Sequence, residues 1–198
     1  MEIENSSVNR HITTIITDYF RYSSRKELWC DVAIPITISI IVFLIVGWFS
    51  KSTGDIVKVF NDIITNALAV MAILAGFNTA CLAVIASTSR ETLHNLIDSV
   101  PEDDERDVSI LKRIITFFSY AICSQILILI VGFIYIVVNN NFKDIYELIG
   151  FIGSDAAKIL ATVIGSILSA CILHTLFVSL RNVSLLFRYI LFVAETKD

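Results

Sequence analysis

His174 is the one ionisable side chain of the usual acid, base or ligand kinds that falls inside an apolar stretch long enough to cross a bilayer. Hydrocarbon solvates such a group poorly, so a position of this kind is a functional candidate by default. The alternative is a neutral imidazole bonded within its own helix, where Ser166, Ser169 and Thr175 stand close in sequence. No apolar stretch contains Asp or Glu, which argues against a proton-coupled pump. His11 and His94 lie outside these stretches, with no Cys or carboxylate arrangement suited to a metal. The four cysteines, Cys30, Cys81, Cys123 and Cys171, form no CxxC pair and fall one at or within each stretch, so they read as small apolar packing residues. GxSxG, HExxH, Walker and GxGxxG patterns are all absent, so neither catalysis nor a cofactor is expected. Asn78, Thr79, Ser119, Tyr120, Ser124 and Gln125 are left as cavity lining or as bonds between helices.

The elements that position these groups follow from hydropathy. Of 198 residues 56% are apolar and only 17% charged, against roughly 45–50% and 25% in soluble domains. A helix needs about 20 apolar residues to cross a core about 30 Å thick. Residues 32–49, 63–86, 114–138 and 159–180 meet that length without a single Asp, Glu, Lys or Arg. Continuous runs exclude the alternating strands of a membrane β-barrel. The expected fold is an all-α integral membrane four-helix bundle with cytosolic helix extensions, one domain over 1–198. Its net charge of -4 gives no basic surface for direct nucleic-acid binding. The start of the chain lacks a basic n-region, so span one is expected to be retained rather than cleaved.

Lys and Arg near the span ends set the orientation. Arg10, Arg21, Arg25 and Lys26 precede span one; Arg90, Arg106, Lys112 and Arg113 separate spans two and three; Arg181, Arg188 and Lys197 follow span four. The other two connections hold only Lys51 with Lys58, and Lys143 with Lys158, which places both termini and the central loop in the cytosol. Trp29 and Trp48 are 19 positions apart. That separation is roughly 28 Å of helix, matching an aromatic belt at both membrane faces. Pro35 is expected in the first helical turns of span one, where a missing N–H costs least.

Outside the spans, Val8, Ile12, Ile15, Ile16, Tyr19 and Phe20 recur at helical spacing. They predict a short amphipathic helix that either caps the protein's own cytosolic side or rests on membrane lipids. The pattern of span two continues through Leu93, Leu96 and Ile97 towards Pro101. In the central loop, 87–113, Glu102, Asp103, Asp104 and Glu105 form a solvated turn or a contact for a basic partner. The extension 181–198 offers Arg181, Leu185, Leu186, Arg188 and Ile190 as partner-binding candidates, because apolar surface beyond the membrane must be buried against something. Charging Leu186 and Ile190 is expected to release a soluble partner. On the external side Tyr146, Leu148, Ile149 and Phe151 are placed to lie on the outer leaflet. Two small-residue seams, Ala69, Ala72, Gly76, Thr79, Ala83 and Ala86 in span two and Ala161, Gly165 and Ser169 in span four, permit close helix approach. One suits packing within the subunit and the other suits homo-oligomerisation.

In size and span plan the whole chain resembles the KwaA family, the membrane subunits of bacterial Kiwa antiphage defence systems. No short motif carries the resemblance, and no family site transfers residue by residue. The resemblance implies a sensor and scaffold that oligomerises in the inner membrane, responds to phage attachment or injection, and holds a soluble DNA-binding effector, KwaB, on its cytosolic side. The alternative is a homo-oligomeric pore that depolarises the cell, with Asn66, Ser119, Ser124, Ser166 and His174 as its polar lining.

Overall fold

The computed structural model describes residues 8–99, 108–141 and 154–195. Those residues form six helices and no strand: α1 Val8–Tyr22, α2 Arg25–Phe49, α3 Thr53–Ala86, α4 Arg90–Asp98, α5 Ile110–Asn141 and α6 Ser154–Glu195. The fold is an all-α bundle in which α2, α3, α5 and α6 are long and apolar enough to cross a membrane. Pro101, the acidic residues Glu102 to Glu105, and Tyr146, Leu148, Ile149 and Phe151 lie outside the described residues.

Local chemistry sets the breaks between elements. Ser24 and Glu27 form a capping box: the Ser24 hydroxyl accepts from the Glu27 N–H at 3.2 Å, and the Glu27 carboxylate accepts from the Ser24 N–H at 2.6 Å. This fixes a tight elbow between α1 and α2. Ser52 and Asp55 repeat the device at the start of α3, at 3.3 and 3.0 Å. Between α3 and α4 three successive hydroxyl residues interrupt the helix. Ser87 and Thr88 donate back to the Val84 carbonyl, and the Ser89 hydroxyl caps α4 through the Thr92 N–H. The amphipathic pattern through Leu93, Leu96 and Ile97 therefore belongs to a separate helix, because these hydroxyls compete for the backbone groups that would carry α3 onward.

The first span starts earlier than its apolar run. It is helical from Arg25, so Pro35 stands ten residues inside it rather than in the opening turns. A proline there supplies no N–H to the carbonyl four residues back, which is that of Asp31. The helix accommodates it with a π turn over Trp29–Ala33, in which the Ile34 N–H reaches the Trp29 carbonyl.

α6 is the axis of the bundle, packing on α2, α3 and α5, while α3 also packs along α5. The seam of span four is used inside the bundle. Gly165 lies under the Phe43 ring, in the space its own Cβ would fill, with Ala161 and Ser169 against the same neighbour helix. Gly132 of α5 is closed in the same way by Leu68. The seam of span two faces outward from the bundle: Ala69, Ala72, Gly76, Thr79, Ala83 and Ala86 are all exposed, and a Cβ on Gly76 would meet nothing within 4 Å among the described residues. Phe43, Ile56, Phe60 and Ile64 fill the core near the α2–α3 turn, and Cys81, Ile85, Leu96, Leu111, Ile114, Phe118 and Tyr189 fill it at the opposite end.

These contacts predict an asymmetry between two glycines. Gly165→Leu should overpack the α2–α6 contact and lower stability by about 1–3 kcal/mol, whereas Gly76→Leu should leave the stability of the single chain unchanged. Thermal unfolding midpoints of the two variants as detergent-solubilised monomers check this.

Candidate functional site

The end of the bundle that carries α1 holds a polar lattice in three layers. In the outermost, Arg113 of α5 pairs with Glu27 at 2.7 Å, both partly exposed. The second layer is buried. The Asp31 carboxylate pairs with Arg181 at 2.5 Å and accepts from the Tyr19 hydroxyl at 3.0 Å, with Asp31 and Arg181 side chains only 4% and 11% exposed. Burial pushes the Tyr19 phenol well above its usual range, with Arg181 pulling the other way, so Tyr19 keeps its proton and acts as the donor. Arg181 also donates to the Ser23 hydroxyl at 3.2 Å. Its Nε and second terminal nitrogen find no hydrogen-bond partner among the described residues. They are covered instead by aromatic faces, with the guanidinium 4.1 Å from the Phe117 ring centre and 4.9 Å from that of Tyr19.

Tyr19 stacks on Tyr120 at 3.7 Å with the rings nearly parallel, and the Tyr120 hydroxyl lies 2.8 Å from His174 Nε2. The other ring nitrogen, Nδ1, meets the Asp31 main-chain oxygen at 2.5 Å. A carbonyl oxygen only accepts, so Nδ1 must carry hydrogen, and in the neutral ring Nε2 accepts from Tyr120. His174 thus occupies the carbonyl to which Pro35 offers no hydrogen. It is bonded to α2 and α5 and not to Ser166, Ser169 or Thr175 of its own helix.

The third layer is uncharged. Asn78 donates to Gln125 at 3.2 Å, Gln125 to Ser179 at 2.6 Å, and Asn182 to Asn78 at 3.3 Å. All four side chains are buried, and together they join α3, α5 and α6. Of the polar residues left open in the sequence, Asn78 and Gln125 therefore act as interhelical bonds. Thr79 and Ser124 bond carbonyls of their own helices, those of Ala75 and Ala121.

The partner-binding candidates on α6 separate by face. Arg181 is consumed by the lattice, and Leu185 and Leu186 pack inward with Tyr189, Phe192 and Val193. Arg188 and Ile190 are exposed, joined by Phe187 and Leu191. Sequence reasoning missed Glu27, Ser179 and Asn182, and above all Asp31. Its signal was available: an acid just before span one and a base just after span four are at the same end of antiparallel helices, hence at one depth.

Beside the lattice runs a second feature, a cleft of about 500 Å3 between α2 and α5 with α6 as its floor. Ile36 and Ile40 form one wall, Leu127 and Ile128 the other, and Phe20 of α1 lies at the end where Tyr120 and His174 enter. Among the described residues no cluster of three or more His, Cys, Asp or Glu is placed to hold a metal. No family model, curated protein or solved structure matches the chain.

Removing one member of a buried ion pair leaves the other charge uncompensated, at about 3–5 kcal/mol, while replacing both with apolar residues is close to neutral. Asp31→Leu and Arg181→Met should each destabilise the bundle by that order, and the double variant should recover most of the loss. A double-mutant cycle on unfolding in detergent measures the coupling, and additive losses would contradict the pairing.

Proposed function

We propose that this protein is a sensor and scaffold in the bacterial inner membrane that forms homo-oligomers, with the α1-bearing end in the cytosol, where it holds a soluble effector and regulates it when phage perturb the membrane. The observation that carries this reading is the two-sided end of α6. Lys158 donates to the Ser50 carbonyl at 2.6 Å, which marks the far end of the bundle. Phe187 is 29 residues further along α6. That is roughly 44 Å of rise, more than the hydrocarbon thickness even at a tilt of about 20°. Beyond the membrane α6 still presents Phe187 at 62%, Ile190 at 56% and Leu191 at 46% exposure, flanking Arg188. Exposed apolar groups clustered in water mark a contact surface. The same helix is anchored on its other side by Leu185, Leu186 and Tyr189, so the surface is held rigidly.

The Lys and Arg distribution supports the cytosolic placement, and the likeness in size and span plan to Kiwa membrane subunits supports the antiphage setting and an effector of the KwaB kind. The outward seam of α3, with Gly76 at its centre, is suited to a second copy of the chain. The pore alternative asks for polar side chains facing a shared axis. His174 instead spends both ring nitrogens within the subunit, which favours the scaffold.

Intact-complex mass analysis of protein purified from native membranes should show a homo-oligomer with a stoichiometric soluble protein. Phe187→Glu with Ile190→Glu should lose that protein while insertion and melting stay unchanged, whereas Leu186→Glu should destabilise the bundle because its side chain points inward. Retention of the soluble protein by the double variant would remove the docking surface, and a bare oligomer that conducts ions would favour the pore.

A further inference from the structure

α1 is amphipathic on two counts. Tyr19 and Tyr22 are buried against α5, which closes one side of its apolar surface. Ile12, Ile16 and Phe20, at four-residue steps, form a second stripe that remains 43–46% exposed. That stripe runs to the mouth of the cleft, because Phe20 is also one of its lining residues. The cleft opens sideways between two membrane-crossing helices, so what fills it comes from the bilayer. Its volume of about 500 Å3 and its aliphatic walls suit an extended hydrocarbon chain.

Charge at the mouth selects the headgroup. From Val8 to Ile34 the acids are Asp18, Glu27 and Asp31, and the bases are Arg10, Arg21, Arg25 and Lys26. Glu27 is neutralised by Arg113 and Asp31 by Arg181, both from other helices. Among the described residues the elbow is therefore left with exposed Arg21, Arg25 and Lys26 against Asp18, which also faces Lys112 of α5. An exposed basic cluster at the end of an interfacial helix attracts anionic lipid.

We propose that the cleft between α2 and α5 holds one acyl chain of an anionic phospholipid whose headgroup rests against Arg21, Arg25 and Lys26 at the α1–α2 elbow. The proposal takes the membrane-crossing reading as its premise and needs nothing of the effector. Occupancy brings the lipid against Phe20 and, through the adjoining Tyr19, against the Asp31–Arg181 pair, so the site gives the sensor a chemical input.

The test uses the full-length protein in phosphatidylcholine nanodiscs doped with phosphatidylglycerol that carries a photoactivatable acyl chain. Adducts should concentrate on Ile36, Leu127 and Ile167 in preference to Ile73 and Phe133, which are as exposed but do not line the cleft. Ala170→Phe should abolish cleft adducts and leave those elsewhere. Substituting Arg21, Arg25 and Lys26 by Gln should reduce preferential retention of phosphatidylglycerol by about fivefold per charge in native mass spectra. Should Ala170→Phe fail to fold, the unmodified chain supplies a second readout. Cys171 lines the cleft and is exposed, so a lipid-soluble maleimide should label it more slowly in discs containing phosphatidylglycerol than in phosphatidylcholine alone, while exposed Cys30 is labelled alike in both. Adducts spread evenly over Ile73, Phe133 and Ile167, or equal retention of both lipids, would overturn the proposal.

Discussion

A carboxylate and a guanidinium enclosed at the edge of an apolar bundle stay charged only if the surroundings replace the water they have lost. The Asp31–Arg181 pair imposes that requirement on the rest of the structure. The Asp31 carboxylate takes a guanidinium and a phenol, and Arg181 takes a carboxylate, a serine hydroxyl and two aromatic faces. Those groups come from α1, α2, α5, α6 and the Ser23 elbow. Satisfying one pair therefore brings together the whole end of the molecule, and α1 is held because Tyr19 belongs to the shell and Tyr22 and Ile15 follow it into the core.

The proline of the first span belongs to the same account. Pro35 leaves the Asp31 carbonyl without its helical donor, and a bare carbonyl at this depth would be costly. His174 supplies the missing hydrogen from α6, and Tyr120 fixes the ring from α5. An interruption in one helix is thereby converted into a bond between three. Asp31 binds α6 twice, through its carboxylate and through its main chain, which explains why α2 follows α6 so closely while touching α3 mainly at Phe43.

Much of this was legible in the sequence because hydropathy is a property of continuous stretches. The four spans, the all-α class and the amphipathic start of the chain need only local composition, and the helices that form contain the expected runs. What escaped is set by pairing across the chain. Asp31 and Arg181 are 150 positions apart, and their attraction is visible only once two helices are known to end at the same depth. The break at Ser87 was masked because Leu93 and Leu96 keep helical spacing across it. On α6, Leu186 and Ile190 are both apolar and one turn apart in sequence. Only the neighbours Cys81, Leu96 and Tyr189 decide that Leu186 turns inward and Ile190 outward.

In the proposed role these features act as one lever. α2 has a groove on each flank, the larger beside α5 and a smaller one of about 140 Å3 towards α3, so its lateral position is set chiefly by its contact with α6. At one end that attachment is the Phe43 ring seated on Gly165, and at the other it is Asp31 held by Arg181 and His174. A change in lateral pressure or lipid occupancy that moves α2 must either break the Asp31 bonds or carry α6 with it. Dense packing makes such a choice discrete rather than gradual. Residues 185–193 of α6 continue directly from Arg181 and present Phe187 and Ile190 to the cytosol in the proposed orientation. The helix that receives the displacement in the membrane is then the one that displays the docking surface, and no further linker is needed to carry the signal.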